Sequence, residues 1–555
     1  MKGHLVACAI IFFAVSLRAQ EVTKLIELKV ADNGLYFDGA KRGNNDLDIN
    51  EPGFEYFFGR RITPHGDCIK VFGDYVFMTW WSGGEEEKHV MLSRYNMKTE
   101  VLETIEFPHT HVGFRHQYEH IGDSHNTIAV GICPLDSTVH LLYDMHSYNE
   151  LEYPDSFFNY NVSKVGAAAA ADGSFSLDLF YTKNTYLNAQ YNYSDITYPN
   201  FFLNDRDELF VWFREGGNNN GSYKFAKYDG SSWGPFTDFN VLNAKSFGNE
   251  YNWGLYGDMK YINGKLRVGF AKRMNYNNDE YVYNNGMHYA YSNDQDGKVE
   301  WYNYKEQSLT LPLSSPEKLF FFEPGSLVAN GGANSITMSS GTDWTVTDRE
   351  SVHFIMNNVR SSASSERVNV HAYKRAGENS FTTTTDFPGG NLYSVPGNMV
   401  FLMGLNSKRP YIYFTKGGTN NWQLLFEETK GVEFRHMNVL IEGNRLYLYL
   451  MEDASGDAQP IHLQIYDLGL PEVVLDAKPS SSKVLIYPNP VEQQLMIEGV
   501  NEIDSEYSIY NLMGRQLDQG QLIDNTIDVS ALASGIYILK LIGNTGERLY
   551  RFNVK

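Results

Sequence analysis

Residues 122–146 read GDSHNTIAVGICPLDSTVHLLYDMH, with His125 near one end and His146 at the other. Imidazole gains and loses protons near physiological pH, so two such groups brought together are candidates for general acid–base work. Further along, TYPNFFLNDRDELFVWFREGGNNNG holds Tyr198 and Arg214, and NWGLYGDMKY and GFAKR hold Tyr256 and Arg273. A phenol is a further proton carrier and a guanidinium a further cation. Taken singly, each has a plainer reading: two unrelated surface histidines, Arg214 paired with Glu215 or Asp229, Tyr256 in simple packing.

The elements that must position these residues are hairpins. Asn126–Ile132 and Thr138–Tyr143 are rich in β-branched and small apolar residues, and the segment 133–137 (CPLDS) between them carries turn chemistry. The midpoint of 125 and 146 falls at the centre of that turn. Residues equidistant from a turn lie opposite each other, so the two imidazoles are expected to meet at the open end of the hairpin. Asp144 shares a strand face with His146 by the period of two and is the expected residue to orient it. With a turn near Asn204–Asp207, Tyr198 and Arg214 also fall at one end of their hairpin. Tyr256 starts, and Arg273 ends, a third strand pair.

Composition points the same way. Aromatics make up 14% of 555 residues, with 38 Tyr, and many of the 48 Gly adjoin Asn or Asp in turns. No long helical periodicity follows residue 20, so the class is all-β. Strand–turn–strand units recur over residues 21–475, which suggests radial repetition. At about 40–65 residues per four-stranded blade the length suits a seven-bladed β-propeller. The stretch SNDQDGKVEW (292–301) looks like a degenerate Asp-box turn of the kind found in such folds. The net charge of −21 argues against nucleic acid as a partner.

The ends are separate units. Residues 1–20 combine a basic start, a short apolar run and a small residue at Ala19, the pattern of a secretory signal too short to span a membrane. No other transmembrane candidate appears. Its removal takes Cys8 away and leaves Cys68 and Cys133, as one disulfide or two buried thiols. Residues 476–483 read as a polar linker. Residues 484–555 alternate apolar residues with short turns, the pattern of a small β-sandwich. Here YPNP, IYNLMGR and DVSALASGIYILKL resemble the C-terminal sorting domain of the type IX secretion system of Bacteroidota. That resemblance implies the secretion machinery as partner, and export to the cell surface or medium.

The segments RITPHGDCIKVFGDYVFMTWW, GDSHNTIAVGICPLDSTVHLLYDMH, TYPNFFLNDRDELFVWFREGGNNNG and NNGMHYAYSNDQDG resemble the β-propeller polysaccharide lyases that cleave ulvan, the sulfated rhamnose–uronate polysaccharide of green algae. The resemblance covers residues 30–310, and order and spacing carry it. The loop GGNNNG departs from an expected GGSGNG. It implies an anionic algal polysaccharide as substrate and β-elimination as the reaction. The resemblance also implies a catalytic set of His125, His146, Tyr198 and Arg214, with Tyr256 lining the cleft; Arg273, at the far end of the same strand pair, is expected beside Tyr256 as a substrate-binding residue. In such chemistry Arg214 neutralises the uronate carboxylate, His125 takes the C5 proton and Tyr198 protonates the leaving oxygen, or the two exchange roles. A histidine base predicts an activity limb near pH 6–7.

Two other functions compete. A sialidase-like glycoside hydrolase wants a carboxylate pair or a Tyr–Glu nucleophile with several arginines, and no such constellation stands out. A non-catalytic glycan-binding propeller needs no such set at all. The chemistry requires no cofactor. A structural divalent cation, calcium or zinc, is an expectation without mapped ligands. His65, Cys68, His109, His111, His116, His120 and Cys133 are enough soft donors, but their spacing matches no standard zinc motif and strand periodicity scatters them.

Overall fold

The computed structural model describes residues 22–470 apart from 44–52, 85–87, 115–120, 275–284, 329–335, 338–340 and 362–364, together with most of 485–555. The leader 1–20, the linker 476–483, His116 and His120 lie outside the described residues. The chain divides into two units, Met1–Leu470 and Pro471–Lys555.

In the first unit the regular elements are β-strands, antiparallel except for the short parallel pair Glu55–Tyr56 and Ile121–Gly122, and short 3-10 turns, among the described residues. Among the described residues, seven sheets of three to six strands follow one another, joined mostly by hairpins. Their inner strands read as near-continuous apolar runs, because both faces are covered, while outer ones such as Leu102–Thr110 alternate. Ile128–Cys133 and Thr138–Tyr143 are buried at every position. Each sheet shares an apolar core with the next. Phe77, Leu92, Val130 and Leu141 join the second sheet to the third. Ala129, Leu142, Phe201 and Phe213 join the third to the fourth. Trp212, Phe225, Leu255 and Val268 continue the series, and so do Tyr289, Trp344 and Phe354, then Ile355 and Val400. Phe401 and Ile412 pack with Leu448 and Leu450, and Val30, Ile461 and Leu463 with Val76 and Trp80, which returns to the start. The architecture is all-β and propeller-like.

The first and last sheets are one. Strand Thr23–Leu35 pairs antiparallel with Ala458–Asp467, from Thr23 opposite Asp467 to Leu35 opposite Ala458. The sheet is completed by Phe434–Glu442 and Arg445–Glu452.

The degenerate Asp-box folds as its residues suggest. Asp294 accepts from the backbone N–H of Asp296 at 3.0 Å and Lys298 at 2.9 Å, and Trp301 Nε1 donates to Gly297 O at 2.7 Å. Cys68 and Cys133 are both free and buried, in separate cores, which settles their state as thiols.

The second unit has its own core, with Leu495, Ile497 and Ile527 from one sheet and Ile509, Leu539 and Phe552 from another.

Candidate active site

The hairpin register places the histidines as expected. Ile128 lies opposite Tyr143 and Cys133 opposite Thr138, so no bulge intervenes within the ladder. Beyond it the rings of His125 and His146 stack, with centroids 4.1 Å apart and planes 16° from parallel. Phe58 stands edge-on to both, at 4.4 and 5.1 Å.

What holds them is Asp123, which the sequence reading passed over. Its Oδ1 accepts from the His125 backbone N–H at 2.9 Å and meets His125 Nδ1 at 2.7 Å. Its Oδ2 meets His146 Nδ1 at 2.5 Å. Asp123 is fully buried. Burial alone would raise its pKa, but the imidazoles of His146 and His125 hold it far below the usual carboxylate range. An ionised Asp123 therefore accepts a hydrogen bond from the Nδ1–H of each ring, and the neutral His125 then carries no proton on Nε2. Burial, then the charge of His146, outweigh the pull of Asp123 and hold the His125 pKa down at about 4. His125 is thus a neutral base over the ordinary pH range.

Asp144 does not orient His146. It is buried and faces His109 Nε2 at 2.7 Å and His111 Nδ1 at 3.1 Å, and it accepts from Val112 N at 2.9 Å. The period-of-two argument fails because Asp144 and Ser147 both have left-handed backbone, at φ 57° and 53°. Strand alternation does not carry through such residues.

Tyr198 and Arg214 come together as their hairpin predicts. Thr197 lies opposite Arg214, and a register shift between Thr197 and Asn200 takes Tyr198 out of the ladder at φ 60°. A bulge with left-handed backbone re-aims one side chain, here toward His125, whose ring centroid lies 5.6 Å from that of Tyr198. The guanidinium of Arg214 sits 4.9 Å from the ring centres of both Tyr198 and Tyr256. Burial pushes the Tyr198 pKa up to about 12, against the lowering pull of Arg214, so its hydroxyl keeps its proton.

Arg214 is 2% exposed, and its Nε and Nη1 have no hydrogen-bond partner. Neither candidate surface partner takes it: Glu215 pairs with Lys224 at 2.8 Å, and Asp229 accepts from Ser231. A Cβ on Gly221 would stand 2.9 Å from Arg214 Cδ, so the glycine in the GGNNNG loop leaves room for this side chain. Arg273 donates from Nη1 to the Tyr256 hydroxyl at 3.0 Å and lies 4.1 Å from its ring centre. All six residues singled out from the sequence are thus linked in one constellation, with Asp123 behind it.

Among the described residues, the soft donors named for zinc do not form a cluster of three or more. His109 and His111 are bound to Asp144, and Cys68 and Cys133 lie in different cores. Among the described residues the group with metal-ligand spacing is Asp123, His125 and His146. Both Nδ1 atoms there are already committed to the two carboxylate oxygens. That geometry is a hydrogen-bonded triad and does not fit an open coordination site.

A cyclic series of sheets that share cores, with a His–Tyr–Arg cluster, defines a propeller-like protein. Residues 75–386 match the model of BNR repeat-containing family members, and residues 485–555 that of the secretion system C-terminal sorting domain. A short-isoform ulvan lyase of Alteromonas sp. (strain LOR) is 42% identical over 80% of this chain and 90% of its own length. A long-isoform ulvan lyase of Glaciecola sp. (strain KUL10) is also 42% identical, over 80% of this chain but 47% of its own. The crystal structure of the polysaccharide lyase Uly1 superposes with a TM-score of 0.76 at 37% identity, covering 80% of this chain and 100% of that one. The chain belongs to the ulvan lyase family. It spans about half the length of the long isoforms it matches.

Proposed function

We propose that the protein is a secreted lyase that cleaves ulvan by β-elimination at the uronate. On this reading residues 21–475 are a seven-bladed catalytic propeller and 484–555 a β-sandwich that the type IX machinery recognises and exports. The seven sheets and their cyclically shared cores support the first part.

The observation that carries the reaction is Arg214. It is a buried cation with two free donors, beside a protonated phenol and a bare imidazole nitrogen. A uronate carboxylate satisfies those donors, and neutralising it acidifies the C5 proton. As C5–H breaks, charge builds on the carboxylate and the fork binds it more tightly. His125 Nε2 takes the proton, and Asp123 stabilises the imidazolium. The C5 electron pair forms the C4–C5 double bond, the C4–O bond breaks, and Tyr198 gives its proton to the departing oxygen. His146 holds the Asp123 bridge in place and lines the sugar, while Tyr256 and Arg273 contact the neighbouring residues.

Incubation of the purified protein with ulvan tests this directly. The expected result is ultraviolet absorbance from a 4,5-unsaturated uronate that grows with each new chain end. New reducing ends without absorbance would instead indicate a hydrolase, and binding without new ends a glycan-binding module.

A further inference from the structure

Beside the catalytic cluster lies a second group of nitrogen-bearing side chains, an arginine and neutral imidazoles, that the elimination does not use. Arg61 precedes the third described strand, Ile69–Phe72, and His436 stands on Phe434–Glu442 of the closing sheet. Arg61 Nε donates to His436 Nδ1 at 3.1 Å. That bond fixes the His436 proton on Nε2, which is buried and has no partner. Desolvation lowers the Arg61 pKa, and no carboxylate offsets it. Arg61 itself is exposed to solvent.

The described neighbours add no unpaired charge of their own. His65 is held neutral, its pKa lowered to about 3 by burial and by the charges of Arg61 and His125. It therefore lies within electrostatic reach of both the new pair and the catalytic base. Arg435 is the one nearby cation with an acid, Asp453 at 2.5 Å, and its guanidinium lies 4.2 Å from the ring centre of Tyr36. The backbone ties the two places together, since Asn438 Nδ2 donates to Gly66 O at 2.8 Å and Gly66 abuts Thr127, two residues after His125.

In a chain of net charge −21, an accessible arginine with no acid and a buried imidazole donor with no acceptor, among the described residues, is an uncommon arrangement. Its complement is a compact anion with several acceptor oxygens. We propose that Arg61 and His436 form an anion subsite that reads the sulfate ester on the sugar next to the cleaved uronate. A sulfate offers one oxygen to the Arg61 fork and another to His436 Nε2–H. The polymer's identity rests on the lyase reading above, but the test does not depend on turnover.

The experiment compares ulvan oligosaccharides with their chemically desulfated counterparts. Binding is measured by calorimetry on Tyr198→Phe, which is designed to block turnover, with and without Arg61→Ala, Arg61→Lys or His436→Gln. A charge-assisted hydrogen bond supports roughly 10- to 100-fold in affinity. Arg61→Ala is therefore expected to shrink the preference for sulfated over desulfated ligand by about tenfold or more, with His436→Gln weaker in effect and Arg61→Lys retaining part of it. An unchanged preference, or equal weakening toward both ligands, overturns the subsite. If wild type produces no unsaturated uronate, the lyase reading fails while the binding ratio still decides the subsite. Absence of binding to either ligand overturns the subsite.

Discussion

Replacing Asp123 by Asn changes one atom type and removes the charge on which two histidines depend. In the structure Oδ1 serves both the His125 backbone N–H and His125 Nδ1, so an amide oxygen will stay there. The amide nitrogen then faces His146 Nδ1, where it can only donate. His146 must shift its proton to Nε2. His125 keeps its tautomer but loses the carboxylate that stabilises its imidazolium form. Hydrogen bonds to charged groups contribute about 1.5–3 kcal/mol, and about 1.4 kcal/mol is tenfold in rate. Weakening the His125 contact alone thus costs about 10- to 100-fold. The misplaced proton on His146 adds to this, and the corresponding Asp→Asn change in serine proteases, about 10⁴-fold, is an upper guide. We expect turnover to fall between about 10² and 10⁴-fold with the fold retained. Initial rates from unsaturated-uronate absorbance, with circular dichroism as a folding control, measure it. A folded variant within about threefold of wild type would refute the bridge as the source of His125 basicity.

Four further outcomes follow from the same geometry. The ascending limb of kcat/KM is expected near pH 4, where His125 is held, rather than near 6–7; a limb at 6–7 in a pH–rate profile would mean that another group is the base. Arg214→Lys keeps the charge but loses the fork, so kcat should drop at least about 100-fold; a rise in KM alone would make it a general binding residue. His140 and His288 are buried with pKa values lowered to about 3. The unfolded chain binds their protons below about 6.5, so stability is full above that pH and lost as pH falls toward 3; calorimetric Tm should decline across this window, and a flat Tm between pH 7 and 4 would contradict it. Deleting residues 484–555 should leave activity of the purified protein intact but block surface display in the native host, which fractionation and activity assays separate.

The hairpin argument placed both histidines because a ladder without bulges keeps residues equidistant from its turn opposite one another. The same argument brought Tyr198 to Arg214, although the bulge that turns Tyr198 inward had no visible signature. Asp123 was legible in principle: an Asp two residues before His125 is the pattern of a side chain capping its own backbone, and the 2.9 Å bond to His125 N is that contact. Asp144 drew the assignment instead, because alternation was extended past the strand end into left-handed backbone. The Arg61–His436 pair could not be read from sequence, since its members lie at opposite ends of the unit and meet only through the closing sheet.

That closing sheet governs more than the shape of the site. Strand Thr23–Leu35 finds its partner only when Ala458–Asp467 exists, so the earliest-made strand waits for nearly the latest. Contacts so distant in sequence form slowly, although the entropy of joining the ends grows only as the logarithm of the loop. Until then Ala458–Asp467 has an open edge, able to accept any extended segment. The same edge makes the join separable: a chain beginning at residue 36 should be completed by adding the 23–35 peptide, the strand docking by backbone pairing as in β-augmentation. The circle is thus sealed by a noncovalent clasp, and its latch is the thirteen residues Thr23–Leu35.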